Sequence, residues 1–197
     1  METLTTHVID QAEGPNWKLY LGDSCQVMQG LPENSVDFSV YSPPFGNLYI
    51  YSDSEADLGN SADYTEFFEH YKYIIREKLR ATVPGGLTAV HCKDLPLYKT
   101  RDDVMGLYDF PGDIVRAHLE CGWAFRSRIA VWKGPTTEME RTKNHGLLYC
   151  NLQKNSRGSR QGMADYVIVF RKWAEGMEAH PVPQDKARFP VEMWRTW

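Results

Sequence analysis

Residues 36–45 read VDFSVYSPPF, and the way this stretch begins and ends decides the fold. Val36 to Tyr41 is β-branched and aromatic, which suits a buried strand. Ser42-Pro43-Pro44 stops it, because two prolines cannot donate to a ladder. Residues 46–62 are dominated by Gly, Asn, Ser and Asp and read as a loop. Asp63 with Glu66 three residues on then forms a capping-box pattern. It opens a helix over about Tyr64 to Ala81, with Tyr64, Phe67, Phe68, Tyr71, Ile74, Ile75 and Leu79 on one apolar face. Lys78 and Arg80 suit the C-terminal end of the helix dipole, and Pro84-Gly85-Gly86 closes the element. Leu87 to Cys92 (LTAVHC) is the next buried strand.

Outward from this unit the alternation continues. Pro111 to Cys121 reads as a second helix stopped by Gly122. Ala124–Trp132 and Tyr166–Arg171 read as a third and fourth strand, with a long polar segment, 133–164, between them. Upstream, residues 17–22 (WKLYLG) make a short strand ending at Gly22-Asp23, and Val27 to Leu31 a helical turn closed by Pro32. The tail from Ala174 reads as an exit segment or linker. Strand–helix alternation predicts an α/β sheet with crossovers. The four strands from Val36 onward should share one sheet, with 36–41 and 87–92 parallel and adjacent.

The 197 residues suit one domain, and 42% hydrophobic with 24% charged residues is a globular balance. No apolar run approaches the roughly 20 residues that span a bilayer. The N-terminus has neither a basic start nor an apolar stretch, so a cytoplasmic location is expected. The cysteines (Cys25, Cys92, Cys121, Cys150) lie far apart with no CxxC pair, and reduced thiols are expected. The six histidines show no metal spacing. The net charge of −4 hides an asymmetry. Residues 1–70 hold 12 acidic side chains and one basic one, Lys18, a charge of −11. Residues 71–197 hold 14 acidic and 21 basic side chains, a charge of +7, so a polyanion would meet the second part.

Ser42-Pro43-Pro44-Phe45 sits at the C-terminal end of a buried strand, where open α/β sheets bind ligands. Alone, the tetrapeptide is a turn that stops a strand. In context, LYLGDSCQVMQGLPENSVDFSVYSPPF followed by a long amphipathic helix and Pro-Gly-Gly resembles the DNA amino-methyltransferases that make N4-methylcytosine or N6-methyladenine. It is similar to the permuted group in which the catalytic half precedes the cofactor half. The resemblance covers about residues 17–172 and is specific between 19 and 93.

The resemblance implies a partial Rossmann-like methyltransferase sheet, S-adenosyl-L-methionine as cofactor and double-stranded DNA as partner. An exocyclic amine is a poor nucleophile because its lone pair is conjugated with the ring. Acceptors that hold its N–H bonds free that pair, and the Ser42 hydroxyl and Pro43 carbonyl are implied in this role. Pro44 helps fix the turn. Phe45 would stack on the extruded base. Ser42 would act as an acceptor, with no His or Lys needed to activate it. Asp23, with Ser24 beside it, would hold the cofactor, although Asp23 also suits a cap of the helix that follows. Within Asn151 to Gly162, Lys154, Arg157 and Arg160 would grip phosphates; a solvated hairpin is the plainer reading. His91 reads as a core or strand-end residue.

The pattern also breaks. Such enzymes carry a glycine-rich turn, Phe-x-Gly-x-Gly, and an acidic residue for the ribose hydroxyls. Neither Pro84-Gly85-Gly86 nor Arg157-Gly158-Ser159-Arg160 fits. In the family's sheet, two strands of that second half separate the strand before Asp23 from the strand before Ser42, so a gap is expected there. A truncated chain or one subunit of a split enzyme would explain it, and so would a non-catalytic DNA- or partner-binding relative. Methylation of protein glutamine is a further alternative; those relatives normally carry Asn where Ser42 stands. Alone, the chain is expected to transfer little methyl. Losing two or three charged hydrogen bonds at roughly 1.5–3 kcal/mol each would weaken cofactor binding by about two orders of magnitude or more.

Overall fold

The computed structural model describes residues 8–46, 52–53, 57–104, 106–142, 153, 164–175, 187 and 190–195. A hairpin of β1 (Asp10–Gly14) and β2 (Trp17–Leu21) leads into α1 (Ser24–Gln29), and β3 (Val36–Tyr41) follows. Next come α2 (Tyr64–Ala81) and β4 (Thr82–Lys93), then β5 (Leu95–Leu97), α3 (Lys99–Asp102) and β6 (Gly106–Tyr108). The chain continues through α4 (Phe110–Glu120), β7 (Trp123–Val131), α5 (Pro135–Thr142) and β8 (Asp165–Lys172) to α6 (Val191–Arg195).

Helix α2 forms where its pattern predicts. The Asp63 carboxylate accepts from the Glu66 backbone N–H at 2.9 Å, and Glu66 reaches back to the N–H of Ala62 at 2.6 Å. Phe67, Tyr71 and Ile75 are buried from this helix, together with Phe110, Ile114 and Ala117 of α4. Both helices pack on Val90 and Cys92 of β4 and Ile168 and Phe170 of β8, with Trp123 closing the cluster. Asp109 caps α4 through the Gly112 N–H at 2.9 Å, and the chain leaves that helix at Gly122 with φ +94°.

The main sheet has the order β3-β4-β8-β7. β3 and β4 are parallel neighbours with α2 between them in the chain, and β8 is antiparallel to both β4 and β7. All four expected strands therefore share one mixed α/β sheet. β4 starts earlier than expected, at Thr82, and carries Pro84-Gly85-Gly86 as an irregularity inside the strand: Val36 pairs with Thr82 but Phe38 with Leu87. Gly85 has φ +86°. A Cβ on Gly86 would come within 2.9 Å of the Asp37 carbonyl oxygen, so the bulge needs glycine there.

β2 pairs only with β1, outside the main sheet, so among the described residues the expected gap beside β3 is present. β3 is an end strand, and Phe38 and Val40 are 56% and 68% exposed. β1, the β5–β6 pair, α5 and α6 are additions to the sequence reading. β1 lacks the apolar alternation that would mark a strand, and its burial pattern is almost wholly exposed.

Lys78 departs from its expected place. It lies buried with its amine 3.0 Å from the centre of the Tyr41 ring, donating to Thr88 Oγ1 at 2.7 Å. Burial drives its pKa well below the usual lysine value. The unfolded chain therefore binds a proton that the folded chain holds poorly, and stability rises as pH climbs toward 10.5. Lys78→Met is expected to stabilise the fold by roughly 1–2 kcal/mol at pH 7. Thr88 keeps its bond from Ser39, at 2.8 Å. Urea unfolding at pH 7 and pH 10 checks this: the gain should shrink at the higher pH, and an unchanged midpoint would contradict it.

Candidate active site

β3 delivers Tyr41 and then the turn Ser42–Phe45 to the end of the sheet. α1 brings Asp23 to the same place. Arg80 of α2 anchors that helix by donating to the carbonyls of Leu31 at 2.9 Å and Met28 at 2.8 Å. Between the two lies a cavity of about 590 Å³. Asp23, Ser24, Cys25, Ser42, Pro43 and Pro44 line it, with Tyr41, Tyr71 and Tyr73 among its aromatic walls. The volume lies within the range of small-molecule sites.

Asp23 takes the cap role and stands at the cavity. Its Oδ1 accepts from the Gln26 N–H at 2.9 Å as the cap of α1, and the residue also faces the cavity. Burial pushes the Cys25 thiol up to about 11, with the charges of Asp23 and Glu77 adding to the effect, so it is no thiolate nucleophile at neutral pH.

Beneath the cavity is a buried polar chain. The Tyr41 and Tyr71 hydroxyls are hydrogen-bonded, and Tyr41 Oη lies 3.3 Å from His118 Nε2. His118 Nδ1 is 2.7 Å from the Ile114 carbonyl, which only a protonated Nδ1 satisfies. Nε2 is then the acceptor, and every member is paired. Burial lowers the His118 pKa to about 3, and raises those of both tyrosines.

Phe45 differs from its expected place. It does not line the cavity: its ring meets Phe110 edge-on at 6.3 Å and His91 at 6.0 Å, half-buried against the core. Apolar neighbours on the sheet side outcompete an open position for that ring. Lys154, Arg157 and Arg160 lie outside the described residues.

The sequence reading also passed over a row of groups behind Ser42. Ser42 Oγ lies 3.1 Å from the His91 carbonyl oxygen and 3.4 Å from His91 Nδ1. His91 Nε2 is 2.8 Å from Asp165 Oδ2, and Lys133 Nζ is 2.6 Å from that same oxygen. Burial presses the Asp165 carboxyl upward, but the bonds from Lys133 and His91 outweigh it and hold the pKa below the usual aspartate value. His91 reads in the sequence as a core or strand-end residue, but its partners Ser42 and Asp165 lie 49 residues before and 74 after it, with no local signal.

No protein-family model matches the chain. The type II methyltransferase M.SfiI of Streptomyces fimbriatus is 27% identical over 146 residues, covering 68% of this chain and 32% of that protein. The chain is similar in sequence to that methyltransferase. It spans about a third of the length of that methyltransferase. A Thermus thermophilus protein assigned as a DNA modification methylase, crystallised with S-adenosyl-L-methionine, shares the fold. Its TM-score is 0.60 at 21% identity, over 89% of this chain and 61% of that one. The cytosine-N4-specific PvuII DNA methyltransferase follows with a TM-score of 0.52 at 16% identity, over 78% and 49% of the two chains. The methyltransferase-like sheet is thus the mixed α/β arrangement described above.

Proposed function

We propose that this chain supplies the base-activating part of a DNA amino-methyltransferase acting on the N4 of cytosine or the N6 of adenine. The observation that carries the reading is the cavity joining Asp23 and Ser24 to Ser42–Pro44. Its acidic and hydroxyl groups beside aromatic walls suit a cationic, adenine-bearing ligand, and S-adenosyl-L-methionine supplies an electrophilic methyl group when bound. Asp23 accepts from the adenine amine and Ser24 borders the same end. The Ser42 hydroxyl and Pro43 carbonyl accept from the target amine and loosen the conjugation of its lone pair. Pro44 holds the turn, and Phe45, wedged on Phe110, keeps it from collapsing. Positioning within near-attack distance, about 3–3.5 Å, replaces any covalent intermediate. Lys154, Arg157 and Arg160 grip the phosphates of duplex DNA.

Further polypeptide, in the same chain or a second one, brings the glycine-rich turn and the ribose carboxylate. The side of β3 that meets no strand among the described residues, with Phe38 and Val40 exposed, supports this. Tritiated methyl incorporation into unmodified duplex DNA tests the proposal, with the chain alone and with that polypeptide added. Little transfer is expected alone and robust transfer when completed. Ser42→Ala should lower transfer at least tenfold, since one aligned acceptor is worth about 1.5–3 kcal/mol. Digestion of the product identifies the methylated base. Binding of DNA without transfer in the completed protein would favour the non-catalytic module, and labelling of protein instead of DNA would favour glutamine methylation.

A further inference from the structure

We propose that His91, held by Asp165, is a positioning residue that directs the Ser42 hydroxyl and takes up the proton released at the target amine. This rests on the methyl-transfer reading above. The geometry comes from three strand ends. His91 lies near the end of β4, Asp165 starts β8, and Ser42 follows β3, which is parallel to β4. Val90 pairs with Tyr41, so the next residue of each strand, His91 and Ser42, stand side by side. His91 pairs with Val167 of β8, and that places Asp165 two residues along on the same face.

The hydrogen bonds fix the direction of the chain. Asp165 Oδ2, kept anionic by Lys133, can only accept, so His91 Nε2 carries the hydrogen across 2.8 Å. In the neutral ring Nδ1 is then bare and faces Ser42 Oγ at 3.4 Å, a separation that a turn of the serine side chain shortens. A Ser42 hydroxyl donating to Nδ1 leaves both of its lone pairs for the target amine, whereas one donating to the His91 carbonyl, at 3.1 Å, has no onward path for a proton. The arrangement follows the logic of a serine–histidine–aspartate relay, with the serine as proton carrier instead of nucleophile.

The balance is simple. The amine nitrogen forms a bond to the methyl carbon as the carbon–sulfur bond of the sulfonium donor breaks, and the sulfur keeps that electron pair. The nitrogen, now cationic, loses one proton to Ser42 Oγ, and the original Ser42 proton moves to His91 Nδ1. The imidazolium faces Asp165 and returns its proton to water. Other charged groups near this row are Lys133 beyond β7, and Lys93 two residues from His91, paired at 3.2 Å with Glu138 of α5. Phe45 covers one side of the ring, at 6.0 Å.

Two measurements test this. Long-range proton–nitrogen NMR of the chain with labelled histidine should show His91 as the Nε2–H tautomer near pH 7. Asp165→Asn should turn it into a mixture, and Ser42→Ala should shift Nδ1 alone. A predominant Nδ1–H tautomer, or spectra indifferent to both substitutions, would overturn the relay. In the completed methyl-transfer assay His91→Gln should lower kcat at least tenfold with little change in KM for DNA. Unchanged kcat in a folded His91→Gln protein would overturn it as well. Absence of transfer by the unsubstituted protein would sink the methyl-transfer reading instead, and the NMR result would still decide whether the His91 geometry holds.

Discussion

Phe110→Ala is expected to cost the fold about 3–5 kcal/mol, a large share of the roughly 5–15 kcal/mol available to a domain. Phe110 is fully buried at the start of α4 and meets Phe67 at 5.6 Å and Phe68 at 5.5 Å. Phe45, on the other side, rests on it edge-on. Truncation opens a cavity bounded by two helices and the Ser42–Phe45 turn, and aromatic rings cannot collapse into it without leaving their own contacts. Phe110→Leu, which refills most of the space, should cost under about 1.5 kcal/mol. Urea unfolding at pH 7 distinguishes the two, and a loss below about 1 kcal/mol for the alanine variant would show that the packing is looser than described. The same substitution should also free the turn, so that backbone amide exchange at Phe45 rises before global unfolding.

Acid should be nearly as damaging, through His118. Its folded pKa is lowered to about 3 from the ordinary 6.5, by burial above all. At pH 7 both states are neutral at this ring and the group makes no difference. As pH falls below 6.5 the unfolded chain takes a proton that the folded chain refuses, and stability drops until the folded pKa is reached. The slope is about 1.4 kcal/mol per pH unit, so moving from pH 7 to pH 4.5 costs about 3 kcal/mol. His118→Phe keeps the stack on Phe170, whose ring lies at 4.1 Å and nearly parallel, while removing the titration. Denaturant unfolding of both proteins at the two pH values checks this. The variant should lose most of the slope, and an equal slope in both would place the acid sensitivity elsewhere.

Much of this molecule is legible in its sequence. The α2 helix declares itself through its cap at Asp63 and seven apolar positions at one spacing, because burial on one face imposes that period. The parallel pair of β3 and β4 follows from a strand–helix–strand order that leaves few alternatives. Lys78 is misplaced by the sequence because its neighbours on the helix suggest a solvated end, whereas its surroundings come from Tyr41 and Thr88 on two other elements. Phe45 is misplaced in a similar way: the tetrapeptide fixes the backbone of the turn, but Phe110, 65 residues away, decides where the ring goes. His91, Asp165 and Lys133 meet only because β4, β8 and the end of β7 are neighbours in the sheet, and a contact made through sheet order carries no local pattern.

The outer edge of β3 has a consequence for how the chain behaves in a crowded solution. Its backbone N–H and C=O groups on that side meet no strand among the described residues, and Phe38 and Val40 stand exposed along it. Natural sheets guard such edges with lysines, prolines or bulges. Here the residues between Val36 and Tyr41 include a single charge, Asp37. This six-residue stretch is therefore one place where a strand of a second molecule can pair. Val40→Lys would guard that edge against such pairing.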